Sequence, residues 1–166
     1  ACLNFKRYLN KHEIIVYTHI RQNFEILKKL NIPVVFFSFN FIDKILLKLS
    51  VLKFFRYFTQ IMKIKISLEN TLINDNIDLC YFPVLSKTVF TFKNIRFIST
   101  FLDLEHFKHS IFPEITKKEF YKRENLYFYS MKKFLLIFVS HHIIKKKVSD
   151  HYKIPTKKIM IIPYTP

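Results

Sequence analysis

Six short apolar runs alternate along this chain with longer stretches of helical spacing. The runs are EIIVYT (13–18), PVVFFSF (33–39), IDLCYF (77–82), IRFIST (95–100), LLIFV (135–139) and KIMIIP (158–163). Runs that are apolar on both faces predict strands of a parallel sheet covered by helices on its two sides. The sequence therefore predicts an α/β fold, a Rossmann-like three-layer sandwich with a mainly parallel sheet. Its 166 residues suit one domain of ordinary size.

The stretches between these runs predict the helices. They cover 21–30, a long amphipathic segment of about 41–62, 67–76, 116–134, and the segment that follows Ser140. Ser140 is predicted to be the N-cap of the last helix, because a serine hydroxyl accepts hydrogen bonds from first-turn N–H groups. Glu119, Arg123 and Glu124, spaced i, i+4, i+5, are predicted to form ion pairs on the helix surface unless the fold brings them to the cleft.

The chain contains no glycine. A Walker loop or a G-x-G-x-x-G turn requires glycine so that backbone N–H groups can approach phosphates closely. Neither motif can therefore exist in this sequence. If the chain belongs to a nucleotide-using enzyme, the part that binds the phosphates lies elsewhere.

The formal net charge is +16, which is compatible with a nucleic-acid or anionic-membrane partner. The excess is almost entirely lysine, and arginine, which binds phosphate bidentately, is scarce. The alternative is that lysine, together with abundant Ile, Asn, Phe and Tyr, reflects the residue usage of an AT-rich genome. Cys2 and Cys80 form no C-x-x-C pair and predict a reducing cytoplasm. No stretch has the length of a membrane span.

Polar residues follow several of the predicted strands. Ligands of open parallel sheets bind beyond the carboxyl ends of the strands, and His19, Asn40, Asp103 and Ser140 stand there, together with Pro163–Tyr164. These positions predict a site along one edge of the sheet.

The most reactive group at this edge is Asp103, His106 and His109, spaced i, i+3, i+6. A histidine beside a carboxylate is held in one tautomer and exchanges protons near neutral pH. The same spacing could suggest metal ligands, although no further Cys, His or acidic pair completes such a site. Alternatively, Asp103 caps a short helix and the histidines face solvent.

Several motifs together resemble the N-terminal domain of glycosyltransferase family 4, which has the GT-B fold. They are DLEH (103–106), FPE (112–114), RE (123–124), Ser140 after a strand, and YKIPTKKIMIIP (152–163), with NIDLCYFP (76–83) before them. Each is weak alone, and their order and spacing are more specific. The resemblance implies retaining transfer of a sugar from a nucleotide-sugar to an acceptor hydroxyl, with no metal or other cofactor. It also implies a cytoplasmic enzyme of cell-envelope polysaccharide or glycolipid synthesis.

The resemblance assigns roles to individual residues. Asp103 and His106 would be catalytic, orienting the acceptor or its hydroxyl proton. His109, Glu114, Ser140 and Tyr164 would bind substrate, with Ser140 near the donor phosphate and Tyr164 at the hinge between domains.

The sequence also departs from the family pattern. Leu102 stands where many relatives carry a histidine. The family's first strand and its glycine-rich loop, as well as its C-terminal donor-binding domain, are not found. The chain is therefore expected to be an acceptor-side domain, truncated at both ends and incomplete for catalysis alone.

Two further interpretations concern binding. Segment 41–65 has apolar residues on one helical face with Lys44, Lys48, Lys53 and Arg56 interspersed, a pattern of helices that lie on anionic membranes. The same pattern suits a core helix packed on the sheet. A non-catalytic basic module that binds nucleic acid or anionic membrane is the alternative to the enzyme. Aromatic residues lie inside the apolar runs rather than among basic residues, which disfavours nucleic acid.

Overall fold

The structure, a computed structural model, describes residues 12–50, 52–62, 64–102, 104 and 116–163, with the backbone alone for Lys53, Arg56, Thr59 and Gln60. The strands of this part are β1 (Val16–Thr18), β2 (Val34–Phe36), β3 (Leu79–Phe82), β4 (Arg96–Phe101), β5 (Leu136–Val139) and β6 (Ile159–Ile161). Its helices are α1 (Arg21–Lys29), α2 (Phe41–Leu49), α3 (Lys53–Ile61), α4 (Ser67–Asn74), α5 (Lys117–Ser130) and α6 (His142–Tyr152). Short 3₁₀ turns cover Lys87–Phe90, Met131–Lys133 and Thr156–Lys158.

The chain divides into two compact units, residues 1–42 and 43–166. In the first unit, β1 and β2 form a parallel pair in which Val16 lies opposite Val34. Helix α1 connects them, and Phe24 of α1 packs edge-on against Phe36 of β2 with 5.7 Å between ring centroids. Within residues 12–42, this β–α–β arrangement has aromatic contacts between its elements, and α1 has no fully buried residue.

The second unit contains a four-stranded parallel sheet in the order β3-β4-β5-β6. The predicted α/β, Rossmann-like fold with parallel strands is thereby confirmed, with the strands distributed over two sheets. Five of the apolar runs contribute a shorter strand than predicted, whereas β4 has the predicted six residues, shifted by one position to Arg96–Phe101.

One face of the four-stranded sheet carries the core. Phe97, Phe101, Ile137 and Val139 alternate with more exposed neighbours and are nearly inaccessible to solvent. Phe97 packs edge-on against Phe134 at 4.9 Å, and Phe101 packs against Tyr127 of α5 at 5.0 Å. Parallel neighbours joined in sequential order by right-handed crossovers place their helices on the same face, which explains why α5 and α6 cover this one.

The opposite face of this sheet is more exposed than the sequence predicted. Leu79, Tyr81 and Met160 are 45%, 42% and 50% exposed. The prediction of strands buried on both faces is therefore wrong for the described part of β3 and β6. A run that is apolar throughout cannot distinguish a covered face from an uncovered one, because both faces carry the same residue types.

The predicted long helix of 41–62 is two helices, α2 and α3. Ser50, which is 2% exposed, follows α2, and its hydroxyl donates a 2.8 Å hydrogen bond to the Leu47 carbonyl. A serine that bonds a carbonyl of the preceding turn competes with the continuing helix.

Within the described residues, no helix combines the length and the apolar character that crossing a membrane requires.

Among the residues that the structure describes, three adopt the left-handed conformation that glycine would usually occupy. Asn31, Asn76 and Lys153 have φ values of 52°, 55° and 55° and follow α1, α4 and α6. Asparagine tolerates this region because its short polar side chain bonds locally, whereas for lysine it costs about 1 kcal/mol. These helices therefore end without glycine, the residue best suited to a left-handed position after a helix.

Two buried carboxylates tie loops and helices together in the second unit. Asp43 of α2 is 2% exposed and accepts hydrogen bonds from the Ser67 backbone N–H, at 2.9 Å, and from the Ser67 hydroxyl. Glu69 of α4 is fully buried, and its Oε1 accepts the backbone N–H groups of Lys93 and Asn94 at 2.7 and 2.8 Å. These bonds fix the helices α2 and α4 and the loop that leads into β4.

Candidate functional site

The carboxyl ends of three neighbouring strands lie level with one another. Phe101 of β4 is paired with Val139 of β5, which is paired with Ile161 of β6. The pairing continues one step further, because the Ile162 N–H donates a 2.8 Å hydrogen bond to the Val139 carbonyl. The segments that begin at Leu102, Ser140 and Ile162 therefore leave the sheet from the same edge, the carboxyl edge, where parallel sheets bind ligands.

Most of the residues predicted for the site lie outside the described part of the chain. These are Asp103, His106, His109, Glu114 and Tyr164. The two described residues that flank Asp103 in the sequence are Leu102, which is 46% exposed, and Leu104, which is 8% exposed. The candidate residues His19 and Asn40 belong to the first unit, and the membrane candidates Lys44 and Lys48 are exposed on α2. The side chains of Lys53 and Arg56 are not described.

Ser140 is at the carboxyl edge, but it is not the N-cap of α6. The cap residue is His141, with φ −159° and ψ 169°, and its side chain makes no capping hydrogen bond. Two residues are needed to turn from the end of β5 at Val139 into α6 at His142, so the serine stands one position too early. Consequently the first-turn N–H groups of α6 have no side-chain acceptor from the cap position, and they are donors that an anionic group could use.

A hydrogen-bonded cluster lies between α5 and α6. The Tyr152 hydroxyl donates to Glu124 Oε1 at 2.6 Å, and His151 Nε2 lies 2.9 Å from Glu124 Oε2. Tyr152 is fully buried. Burial first, and then the adjacent Glu124 carboxylate, raise the pKa of the Tyr152 phenol far above its ordinary value. The phenol therefore remains a neutral hydrogen-bond donor.

Residues of this cluster pack against the end of β4 at the carboxyl edge. Phe101, the last residue of β4, packs against Tyr127 at 5.0 Å and against Tyr152 at 6.3 Å between ring centroids. The residue that follows is Leu102, which directly precedes Asp103, the first residue of the predicted catalytic turn. The aromatic contacts and the Glu124–Tyr152 hydrogen bond therefore hold the strand end from which that turn leaves.

The predicted ion pairing on the helix surface is confirmed for Glu119, whereas Glu124 contacts His151, which lies on α6. Glu119 pairs with Lys122 at 3.1 Å and Arg123 at 3.7 Å, and the hydrogen bond from Lys122 lowers its pKa. Glu124 instead faces α6. The spacing of Phe120, Glu124 and Tyr127 at i, i+4, i+7 places the carboxylate on the apolar face of α5, and this spacing is the signal that could have identified it.

A hollow of about 510 Å³ lies at the opposite, amino end of the strands. Its basic residues include Lys133 and Lys158, whose ammonium groups donate to the carbonyls of Phe90 and Phe134 at 3.2 and 3.3 Å. These lysines cap backbone carbonyls and stabilise the loops around the hollow. The hollow is remote from the carboxyl edge and is therefore separate from the candidate site.

The described part of the chain contains neither a metal-binding cluster nor a reactive cysteine. In that part, no group of three or more His, Cys, Asp or Glu side chains is arranged to hold a metal ion. Cys80 on β3 is a free thiol, and burial raises its pKa from 9.0 to about 11. A thiol with so high a pKa is a poor nucleophile at neutral pH.

The geometry defines an α/β protein with a Rossmann-like parallel sheet and a candidate site at its carboxyl edge. No protein-family model, curated protein or solved structure matches the chain significantly. Since one fold hosts many unrelated functions, function has to be argued from the site itself.

Proposed function

We propose that this chain is the acceptor-side domain of a glycosyltransferase that transfers a sugar from a nucleotide-sugar to an acceptor hydroxyl. The observation that carries the proposal is the level alignment of the ends of β4, β5 and β6. In the sequence, DLEH and Ser140 follow β4 and β5, and the motif YKIPTKKIMIIP ends just after β6, so the segments that resemble family 4 glycosyltransferases adjoin these three strand ends.

In this proposal the carboxyl edge receives the acceptor. The acceptor oxygen forms a bond with the anomeric carbon of the donor sugar, the bond between that carbon and the phosphate oxygen breaks, and a nucleoside diphosphate leaves. Asp103 and His106 orient the acceptor hydroxyl and take its proton. His109 and Glu114 bind the acceptor sugar, and Tyr164 lies at the hinge.

Ser140 and the first turn of α6 act on the donor side. The α6 N-terminus carries a partial positive charge and has N–H donors without a side-chain cap. A leaving diphosphate gains negative charge as the sugar departs, and donors at this position stabilise that charge. Because the sequence has no glycine-rich phosphate loop, a separate donor-binding domain supplies the main nucleotide contacts.

The test uses the protein expressed from its complete reading frame and a panel of UDP-, GDP- and ADP-sugars with lipid-linked acceptors. Release of nucleoside diphosphate is measured for the native protein and for the variants Asp103→Asn and His106→Ala. Loss of a catalytic acid–base group slows such reactions by about 10²–10⁴-fold, so each variant is expected to fall within that range. Asp75→Asn, on the exposed turn after α4, is the matched control and should keep full activity. Normal turnover in both site variants would remove the proposed roles.

A further inference from the structure

Helix α3 turns its apolar face towards solvent. Phe54, Tyr57, Phe58 and Ile61 are spaced i, i+3, i+4, i+7 and therefore share one helical face. They are 82%, 65%, 44% and 62% exposed. A helix that packs on a protein core buries this face. The prediction that the segment is a core helix therefore does not describe α3, whose apolar face is not covered by the described residues.

Two further exposed apolar residues flank α3 in the sequence. Leu52 precedes the helix and Met62 follows it, and each is 57% exposed. Single exposed apolar residues are common on protein surfaces, whereas a run of them on one face marks an interaction site.

All exposed charged side chains described in this segment are lysines. Lys44 and Lys48 are exposed on α2. The one acidic residue between positions 41 and 65 is Asp43, and its carboxylate is buried against Ser67. The segment therefore combines exposed lysines on α2 with an exposed apolar face on α3, and its one carboxylate is buried.

We propose that α3, with Leu52 and Met62, inserts its apolar face into the surface of an anionic lipid bilayer, and that the lysines of α2 contact the headgroups. An interfacial helix of this kind buries its apolar residues at the boundary between headgroups and acyl chains, while basic side chains bind anionic lipid. This inference goes beyond sugar transfer and does not depend on it.

Other occupants fit the same surface less well. A second copy of the chain carries the same formal net charge of +16 and would be repelled at low salt. A nucleic acid offers phosphates to the lysines and bases to the aromatic rings, but it has no apolar phase for Ile61, Leu52 and Met62. An anionic bilayer satisfies both the charge and the apolar face.

The first test is co-sedimentation of the chain with vesicles of phosphatidylcholine alone and with about 30% phosphatidylglycerol. We expect strong binding to the anionic vesicles, and a decrease when salt is raised. Phe54→Ser should lower the partition coefficient by about tenfold, since one large apolar side chain no longer enters the bilayer. Tyr121→Ser is the matched control, because Tyr121 is 69% exposed on α5, and it should bind as the native chain does.

The second test separates charge from apolar insertion. The double variant Lys44→Glu/Lys48→Glu should lose most of its preference for anionic vesicles. Lys117→Glu/Lys118→Glu, which makes the same change of net charge at exposed positions of α5, should retain it. All of these residues are exposed, so the variants are expected to fold, and their unfolding transitions in urea check this.

Three results would overturn the proposal. The first is equal binding of the native chain to neutral and anionic vesicles, or binding that Phe54→Ser leaves unchanged. The second is a lipid-free dimer in analytical ultracentrifugation that Phe54→Ser converts to monomer, which would assign the surface to a second copy. The third is oligonucleotide binding that Phe54→Ser abolishes in a chain that binds no vesicles.

Discussion

The Tyr152 hydroxyl on α6 and the Glu124 carboxylate on α5 are joined by a hydrogen bond of 2.6 Å. Both helices cover the buried face of the four-stranded sheet, and the Tyr152 ring also packs against Phe101 at the end of β4. Tyr152 thus links the two crossover helices through a hydrogen bond. Its ring also packs against the end of β4, which leads into the candidate site. Its energetic importance can be measured directly.

Tyr152→Phe should destabilise the chain by about 1.5–3 kcal/mol, the range for a hydrogen bond to a charged group. The substitution removes the hydroxyl and keeps the ring, so the packing against Phe101 is preserved. The free energy of unfolding in urea is the measurement. Tyr121→Phe, at an exposed position of α5, should change it by less than about 0.5 kcal/mol. Equal effects at the two positions would contradict the role assigned to Tyr152.

The stability difference between the native chain and Tyr152→Phe should shrink at alkaline pH. The fold raises the Tyr152 pKa above its ordinary value of 10.0, so folding favours the protonated phenol. Its contribution is complete below about pH 10 and is lost as the pH rises beyond it, because the unfolded chain then releases the proton more readily. Urea unfolding at about pH 8 and pH 11 measures both proteins, and subtracting them cancels the titration of the other tyrosines and lysines. A difference that stays constant over this interval would refute the assignment.

Glu69→Ala should destabilise the second unit by about 2–4 kcal/mol. The backbone N–H groups of Lys93 and Asn94 would lose their acceptor, and the removed side chain would leave a cavity. Glu69→Gln keeps an amide oxygen that can accept the same bonds, so it should recover most of the loss. Glu119→Ala, which removes an exposed carboxylate, serves as the control and should stay within about 0.5 kcal/mol. If the Gln and Ala variants at position 69 were equally unstable, the hydrogen bonds would not be the cause.

Thr116→Ala and Ser140→Ala should have different effects on stability. The Thr116 hydroxyl accepts the Glu119 N–H at 3.2 Å and caps α5, so its loss should cost about 1 kcal/mol. Ser140 precedes the true cap residue of α6, and its replacement should cost less than about 0.5 kcal/mol. Thermal unfolding of the two variants makes the comparison. A larger loss for Ser140→Ala would restore serine as the cap.

Native Cys80 should react slowly with a disulfide reagent at about pH 8. Burial raises its pKa from 9.0 to about 11, which lowers the thiolate fraction by about 100-fold. Because Cys2 would also react, the measurement uses a Cys2→Ser chain and follows the rate with and without denaturing urea. We expect the rate to rise by at least about 100-fold on unfolding. Similar rates in both conditions would show that Cys80 is accessible as a thiolate.

The sequence is sufficient to predict the class of fold because length and residue type distinguish buried strands from amphipathic helices. IRFIST and LLIFV correspond to the parallel strands β4 and β5, as predicted, and the structure shows that these two strands are neighbours. The break between α2 and α3 is not predictable in this way, since the helical spacing of apolar residues continues across Ser50 and gives no sign of its bond to Leu47. Nor does the spacing say which side of an amphipathic helix is covered, so it does not distinguish a core helix from one like α3.

The sequence predicts the candidate site only to the extent that it predicts where the strands end. The alignment of Phe101, Val139 and Ile161 follows from parallel pairing, and the position of Ser140 at the edge follows from its place after β5. The Glu124–Tyr152 contact joins residues 28 positions apart, a distance at which one sequence provides no pairing information. A carboxylate on the apolar face of a helix needs a hydrogen-bond donor, so the sequence indicates that Glu124 has one. The structure shows that Tyr152 is such a donor.

The left-handed residues Asn31, Asn76 and Lys153 have a consequence for the unfolded ensemble. A chain without glycine explores fewer backbone conformations when unfolded, and it therefore loses less conformational entropy when it folds. Lys153→Gly would relieve the strain after α6 and at the same time enlarge the freedom of the unfolded state, so the two effects oppose each other. Part of the stability of this protein therefore comes from the low conformational entropy of its unfolded chain.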